Sequence, residues 1–199
     1  VIGALVLNFL ISYLFDSYSV VSNLVIISSL FLIISSFLDL YKYPRVNLAR
    51  TISHLSFGFL IFFIGLNHNF SIEKDFNLKI GEIRNIDNFR FALQDLELKE
   101  YNNYKAVVGN LKINNLSTNE EKTLKPEIRI YNNPKTLTYE ASIHTNFFRD
   151  YYLTMSNIDR SEYYNIKFQE KPLMIWIWIS VVMISLGGLL SLLRNAKDN

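Results

Sequence analysis

Long runs of apolar residues without charges stand at both ends of the chain. Residues 20–38 and 173–193 contain no charged side chain, and residues 48–66 contain only Arg50. At about 1.5 Å of rise per helical residue, each run is long enough to cross a hydrocarbon core of about 30 Å. The long side chain of Arg50 can reach the interface from a helix end. The pattern therefore predicts three membrane-spanning helices.

A further apolar run, residues 1–15, begins with the chain itself. It has no initiator Met, basic segment or cleavage site, so a signal peptide is not expected. We expect the chain to be a fragment that lacks an N-terminal part. Residues 1–40 would then form a truncated transmembrane hairpin that turns at residues 16–19.

The hydrophobic pattern changes to short alternating runs between residues 70 and 171. Phe89, Phe91 and Leu93 alternate with polar neighbours, and two further runs alternate around Arg129 and Lys167. A period of two residues is typical of half-buried strands. Three Asn-rich sites predict turns, because Asn tolerates positive φ; they are Asn102-Asn103, Asn114-Asn115 and Asn132-Asn133-Pro134. The spacing predicts six to eight strands in a small sandwich or barrel.

The charges of the short connecting segments predict the orientation in the membrane. The loop of residues 41–50 carries three positive charges and no acid, and the tail of residues 194–199 has two basic side chains and one acid. Short basic segments stay in the cytoplasm, whereas long domains cross largely regardless of charge. Trp176 and Trp178 would lie in the outer aromatic belt.

These predictions give an α+β membrane protein, with transmembrane helices flanking a small all-β extracytoplasmic domain. The predicted segments are a hairpin at 1–40, a basic cytoplasmic loop at 41–50, a transmembrane helix at 51–67, an extracytoplasmic β domain at 68–171, a transmembrane helix at 172–193 and a cytoplasmic tail at 194–199.

Composition excludes several kinds of chemistry. The chain has no cysteine, which excludes disulfides and thiolate catalysis within it. Residues 67–171 hold 15 Lys/Arg and 15 Asp/Glu, without the basic excess of a nucleic-acid-binding protein. No phosphate-binding glycine pattern or convergent acid pair is present, so the β domain offers no recognisable enzyme site.

His54 is the strongest candidate for chemistry, because it lies inside the predicted helix at 51–67. An ionisable side chain in a spanning helix is costly and suggests a function. His54, Gly58, Ile61 and Gly65 fall within an arc of roughly 60° on a helix, which predicts a groove beside the imidazole. A flat macrocycle with His54 as a ligand and a closely packed helix with an interhelical hydrogen bond both fit this groove. His68 and His144 are better explained as boundary and surface residues.

The serines of the second apolar run form a further pattern. Ser22, Ser29 and Ser36 recur every seven residues. Small residues at this spacing make a stripe for close helix packing.

Several local strings, in order, resemble the C-terminal part of the CcmF-type haem lyase family, from about Arg50 to Arg194. The strings are Ser53-His54-Leu55, Pro126-Glu127-Ile128-Arg129-Ile130-Tyr131, Tyr139-Glu140-Ala141-Ser142-Ile143, Arg149-Asp150-Tyr151-Tyr152, and Lys171-Pro172 followed by Trp176-Ile177-Trp178 and Gly187-Gly188. The family's His-x-Gly string is altered here, because Ser56 stands two residues after His54 and Gly58 follows.

The resemblance implies a haem lyase component that assists covalent attachment of haem to apocytochrome c. In that family two histidines hold a haem b in the membrane, with the proposed task of reducing the incoming haem, and His54 matches one of them. The resemblance thus implies His54 as an axial ligand of the haem iron, with Gly58 and Gly65 lining the groove. The second ligand and a tryptophan-rich segment would lie upstream, so the fragment lacks a complete active site.

The implied partners are apocytochrome c, a haem-carrying chaperone and thiol-handling subunits, in a bacterial or mitochondrial inner membrane with the β domain outside. Arg and Tyr are enriched at interface hot spots, so Arg129, Tyr131, Arg149 and Tyr151 are the predicted partner-binding residues. Pairing of Arg149 with Asp150 within the fold is an equally good account. A structural cap is the alternative role of the β domain. Alternative functions for the chain are a membrane receptor or a structural assembly subunit without a cofactor.

Overall fold

The computed structural model describes the backbone of residues 2–15, 20–42, 48–158 and 161–198. The predicted turn at 16–19, residues 43–47 of the basic loop and the side chains of the tail lie outside the described residues. The chain forms two compact units, one containing residues 1–71, 146–149 and 171–199, the other containing residues 72–145 and 150–170.

The first unit is helical. Its helices are α1 (Ile2–Phe15), α2 (Val20–Lys42), α3 (Leu48–Phe70) and α4 (Met174–Asp198). By length and composition, α2, α3 and residues Met174–Leu193 of α4 could cross a membrane. Each matches one of the predicted apolar runs.

Small residues let the helices approach closely. The predicted serine stripe is buried, since Ser22, Ser29 and Ser36 are all less than 5% exposed. Glycines take the same role on the other helices, because a Cβ at Gly58 would lie 2.8 Å from Ile33 Cγ1 of α2. Where side chains are absent, helix backbones can come into contact, and packing replaces the hydrophobic driving force that lipid does not supply.

The second unit is an antiparallel β-sandwich, so the predicted fold class is confirmed. Its strands are β1 (Ile72–Leu78), β2 (Ile83–Ile86), β3 (Phe89–Glu100), β4 (Tyr104–Asn115), β5 (Glu120–Leu124), β6 (Glu127–Tyr131), β7 (Leu137–Glu140), β8 (Ser142–Thr145), β9 (Arg149–Asn157) and β10 (Tyr164–Pro172). One sheet has the order β1-β10-β9-β8, and the other has the order β2-β3-β4-β6-β7, with β5 also paired to β4.

The core follows the predicted alternation. Phe89, Phe91 and Leu93 of β3 are at most 3% exposed. They belong to the same core cluster as Ile166 and Phe168 of β10, and both phenylalanine rings of β3 pack on Phe168. The centroids of Phe91 and Phe168 are 5.1 Å apart in an edge-to-face arrangement, which is favoured by the quadrupoles of the rings.

The described part of the chain has ten strands rather than the predicted six to eight. The chain passes from one sheet to the other at Ala141, which divides one extended segment into β7 and β8. Asn114 and Asn115 end β4 instead of forming the predicted turn. The turn follows, and the Asn115 side chain accepts hydrogen bonds from the backbone N–H groups of Ser117 and Thr118.

Candidate functional site

Helix α3 has three faces with different neighbours. Gly58 and Gly65 face α2, where a Cβ at Gly65 would lie 3.2 Å from Val25 Cγ1. Ser53 faces α4, because its backbone N would lie 3.0 Å from a Cβ added at Gly187. The third face is exposed, and the residues on it recur at helical spacing; they are Arg50, His54, Phe57, Ile64 and His68.

His54 lies in the middle of this exposed face. Its imidazole has no hydrogen bond or ion pair with the described residues, so both ring nitrogens are available to a ligand. His68 shares the face but lies 14 residues further along, about 21 Å at the helical rise. The two histidines therefore cannot bind one iron atom. A metal bound at His54 would need another ligand from a different segment.

The two predicted groove glycines are explained by helix packing. Both are buried against α2, where Ile33 and Val25 occupy the space that a side chain would take. This geometry agrees with the close-packing account of the glycines. Their contact with a macrocycle stays a prediction, as does the role of His54.

A crevice of about 290 Å³ lies between α3 and α4. It is lined almost entirely by apolar groups, from residues Leu55, Ser56, Phe59, Phe63, Trp176, Ile179, Ser180 and Met183. The Ser180 hydroxyl donates a hydrogen bond to the Trp176 carbonyl at 2.8 Å, so its proton is not available to a ligand in the crevice. The crevice suits an apolar group, and no His, Asp or Glu is among its lining residues.

The two tryptophans of α4 have different surroundings. Trp176 packs against Phe63 and Phe147, and its indole N–H donates to the Phe147 carbonyl at 3.0 Å. Trp178 is 63% exposed. The Trp176 N–H is thus satisfied by the protein, and Trp178 is the residue whose ring is available to an interface.

In the β-sandwich, two of the predicted interface residues come together. Arg129 donates from Nε to Glu127 at 2.8 Å, and its guanidinium lies 5.0 Å from the centroid of the Tyr104 ring. The Tyr131 ring packs on Tyr104 at 5.2 Å, and Tyr104 stacks on Tyr101 at 4.6 Å. We call Arg129, Tyr131, Tyr104 and Tyr101 the Arg/Tyr cluster. Hydrogen bonds to Glu127 and Tyr131 raise the pKa of Arg129 and keep it charged.

Sequence reasoning missed Tyr101 and Tyr104. They flank the predicted Asn102-Asn103 turn, and the Tyr101 N–H donates to the Tyr104 carbonyl at 2.9 Å. A two-residue turn places its flanking residues opposite each other. Pairing the predicted strands on either side of this turn would therefore have identified the tyrosine pair from the sequence.

The other two predicted interface residues lie elsewhere. Tyr151 is 2% exposed and packs in the core against Phe89 and Phe168. A side chain in the core does not meet a partner, so Tyr151 is not carried into the proposed interface. Arg149 is half-buried at the start of β9.

Asp150 is an acid that the sandwich buries. It is 5% exposed, and one of its carboxylate oxygens has no hydrogen-bond partner among the described residues. Burial raises the pKa of Asp150, against the opposing effects of a hydrogen bond from Thr145 and the nearby His144. Within the described residues no cluster of His, Asp and Glu could hold a metal ion.

The site and fold define a class of protein: helices that could span a membrane, one of them with an accessible histidine, joined to an antiparallel β-sandwich. The family described as CcmF C-terminal beta-sandwich matches residues 69–172, which is about half of the chain. The chain belongs to this family.

Relatives and a solved structure agree with the family. The cytochrome c-type biogenesis protein CcmF of Escherichia coli is 29% identical over 140 residues, covering 70% of this chain and 22% of the relative. The protein of the same name from Haemophilus influenzae is 27% identical over 156 residues, covering 78% and 24%. The cytochrome c biogenesis CcmF C-terminal-like mitochondrial protein of Arabidopsis thaliana is 39% identical over 78 residues, covering 39% and 17%.

A solved structure of a cytochrome c haem lyase CcmF has the same fold, with a TM-score of 0.74 over 94% of this chain and 33% of that chain, at 16% identity. The chain spans less than a quarter of the length of the bacterial relatives named above.

Proposed function

We propose that this chain is part of a haem lyase component of cytochrome c maturation. The observation that carries the proposal is membership of the CcmF C-terminal family combined with His54 on an exposed helix face. In this proposal His54 is an axial ligand of a haem b held in the membrane, and the protein assists covalent attachment of haem to apocytochrome c. Haem b bound there would supply a one-electron redox centre.

The donor chemistry of α3 fits such a group. A neutral imidazole is a common axial ligand of haem iron, and neither nitrogen of His54 has a hydrogen-bond partner among the described residues. The exposed neighbours one turn away, Arg50 and Phe57, offer a cation and an apolar ring beside it. In this proposal the chain supplies one iron ligand, His54, from a rigid helix. The packing of α3 between α2 and α4 fixes the position of that helix.

The proposal places the β-sandwich outside the cytoplasm, as part of an inner-membrane protein. There it would contact apocytochrome c, a haem-carrying chaperone or a thiol-handling subunit. Arg129 and Tyr131 support this role, because a clustered Arg and Tyr pair is typical of interface hot spots. Arg149, which is half-buried, is kept as a secondary candidate.

The haem assignment is tested with three histidine variants. The protein is expressed from its complete gene, purified in detergent, and its reduced absorption spectrum is recorded. The haem b band is expected to be lost in His54→Ala and kept in His144→Ala. His68→Ala is the second control, because His68 lies on the same exposed face at another depth. Retention of the full band in His54→Ala would show that His54 is not a ligand.

The orientation of the sandwich relative to the membrane is tested by labelling an introduced cysteine, because the chain has none of its own. In the product of the complete gene with every other cysteine replaced by serine, Asn102→Cys places a single thiol in an exposed turn of the sandwich. An impermeant maleimide added to intact spheroplasts is expected to label this thiol without lysis. Labelling only after lysis would place the sandwich in the cytoplasm.

A further inference from the structure

One end of the six-stranded sheet exposes the face that elsewhere forms the core. Paired residues of antiparallel strands lie on the same face, and the register puts Leu98, Val107, Ile128 and Tyr139 in one row across β3, β4, β6 and β7. Ile128 is 4% exposed in the core, whereas Leu98 is 79% exposed and Tyr139 45%. The face thus continues outward from the core as a solvent-exposed surface.

The next row extends this surface. Ile130 pairs with Leu137, and the two are 40% and 46% exposed. We call Leu98, Ile130, Leu137 and Tyr139 the apolar end patch. Its rim is closed at the turn between β3 and β4 by the ion pair of Lys105 and Glu100 at 2.6 Å. A surface of this kind, apolar and rimmed by polar groups, marks an interaction site.

Strand β7 borders the patch and is the edge of its sheet. The Tyr131 N–H donates to the Thr136 carbonyl at 2.8 Å, just before the strand begins. Bonded and non-bonded pairs alternate along an antiparallel ladder. Leu137 and Tyr139 are therefore non-bonded positions, whose N–H and C=O groups point away from β6. These four backbone groups have no partner among the described residues.

The two edges of the four-stranded sheet, β1 and β8, are guarded. Edge strand β1 carries charged side chains that form ion pairs, Lys74 with Asp87 and Glu73 with Lys167. Edge strand β8 is bonded through Ser142, whose hydroxyl accepts from the Lys125 N–H at 2.9 Å. Charges and covering segments are the usual protection of an edge. On β7 the free backbone groups belong to the two apolar residues of the patch.

We propose that the β7 edge binds an extended polypeptide segment of another protein, which adds to the sheet as a further strand. A row of alternating backbone donors and acceptors is complemented by another backbone, and neither a lipid nor a helix presents that row at strand spacing. The identity of the partner, unfolded apocytochrome c, rests on the proposed function.

The register defines the sequence that the edge prefers. Residues of the added strand opposite Leu137 and Tyr139 are two positions apart, so both side chains lie on the side of the apolar end patch. The residue between them lies opposite Thr138, on the face that carries Arg129. The site therefore prefers three consecutive residues in the bound segment. The first and third are apolar, and the side chain of the second can lie on a polar face.

Binding is tested with one edge variant on β7 and one on β2. The probe is fluorescent apocytochrome c with its haem-binding cysteines replaced by serine, which separates docking from haem attachment. Tyr139→Lys is expected to weaken the binding about tenfold or more, since a charge guards an edge. Ile83→Lys is the matched control, because Ile83 is 65% exposed on the opposite edge of the same sheet and should leave the affinity within about twofold.

Residue-resolved hydrogen exchange tests the binding mode. On adding the probe to the unsubstituted protein, the amides of Leu137 and Tyr139 are expected to become protected. The amide of Thr138 should not change, because it already bonds within the ladder to β6. Retained protection of Thr138 in Tyr139→Lys shows that β7 is still folded. Equal gain at all three amides would indicate general stabilisation and overturn strand addition.

The outcomes separate this inference from the proposed function. Equal affinity of Tyr139→Lys and the unsubstituted protein overturns the β7 site, while the spectrum of His54→Ala still reports on haem. Loss of a dimer in Tyr139→Lys, measured by sedimentation velocity, would assign the edge to a second copy of the chain and overturn the proposal. Failure of the unsubstituted protein to bind the probe overturns the stated occupant, even if the haem ligand is correct.

Discussion

Gly187 and Gly188 are adjacent in α4, yet an added methyl group should affect them in opposite directions. At Gly187 a Cβ would contact Ser53 Oγ and lie 3.0 Å from the Ser53 backbone N and 3.2 Å from the Ala49 carbonyl oxygen. At Gly188 a Cβ would meet no atom within 4 Å. The first glycine is therefore required by the contact of α3 with α4, and the second is not.

The magnitude follows from which atoms must move. Two of the three contacts at Gly187 are with backbone, so α3 and α4 would have to separate by about 0.5 Å to reach the optimal contact distance of about 3.5 Å. Overpacking of this kind costs about 1–3 kcal/mol. Alanine also gains about 1 kcal/mol over glycine in a helix. Since this gain is common to both sites, the two variants should differ in free energy of unfolding by about 1–3 kcal/mol.

The comparison uses Gly187→Ala and Gly188→Ala in the protein expressed from its complete gene. Unfolding is followed by SDS titration in mixed micelles, and the two midpoints are compared with that of the unsubstituted protein. Gly187→Ala should unfold earlier than the reference, and Gly188→Ala at the same point or later. Equal midpoints for the two variants would refute the packing argument.

Three further predictions concern other positions. Gly58→Ala should destabilise the helical unit by up to about 2 kcal/mol in the same titration, because its Cβ would lie 2.8 Å from Ile33 Cγ1 and 3.3 Å from the Ile33 backbone N, and the overpacking cost of about 1–3 kcal/mol is offset in part by the helix preference of Ala, about 1 kcal/mol. Phe91→Ala should destabilise the sandwich by about 3–5 kcal/mol, measured by thermal unfolding, because the ring is fully buried. The raised pKa of Asp150 means that the folded state holds this proton more tightly than the unfolded state, so stability falls as the pH rises from about 4 through the raised pKa. Asp150→Asn should remove this part of the pH dependence and raise the melting temperature at neutral pH; an unchanged pH profile would contradict it.

The long elements could be predicted from sequence because their signal is local. Uninterrupted apolar runs predicted α2, α3 and the membrane-length part of α4, and the structure has helices at all three. Alternation along β3 identified Phe89, Phe91 and Leu93, which are core residues. In each case the side-chain period is that of the backbone conformation itself, so no knowledge of neighbours was needed.

The role of individual small and aromatic residues depended on neighbours distant in sequence. Gly58 and Gly65 were predicted to line a groove, and the structure puts Ile33 and Val25 of α2 against them. Tyr151 has the composition of an interface residue, but the sandwich closes over it. Tyr104 could be recognised as a candidate interface residue only from the structure, in which β6 places Arg129 over its ring.

The sequence by itself determined which segments are helical and apolar enough to span a membrane, which segments alternate as strands, and that His54 lies within a helix. These properties follow from the order of residue types along one element. Only the tertiary structure decided that His54 faces away from α2 and α4, that β7 is an unguarded edge beside exposed apolar side chains, and that Gly187 rather than Gly188 is in contact. Each of these depends on which face of an element its neighbours cover, and that is set by the packing of segments far apart in the chain.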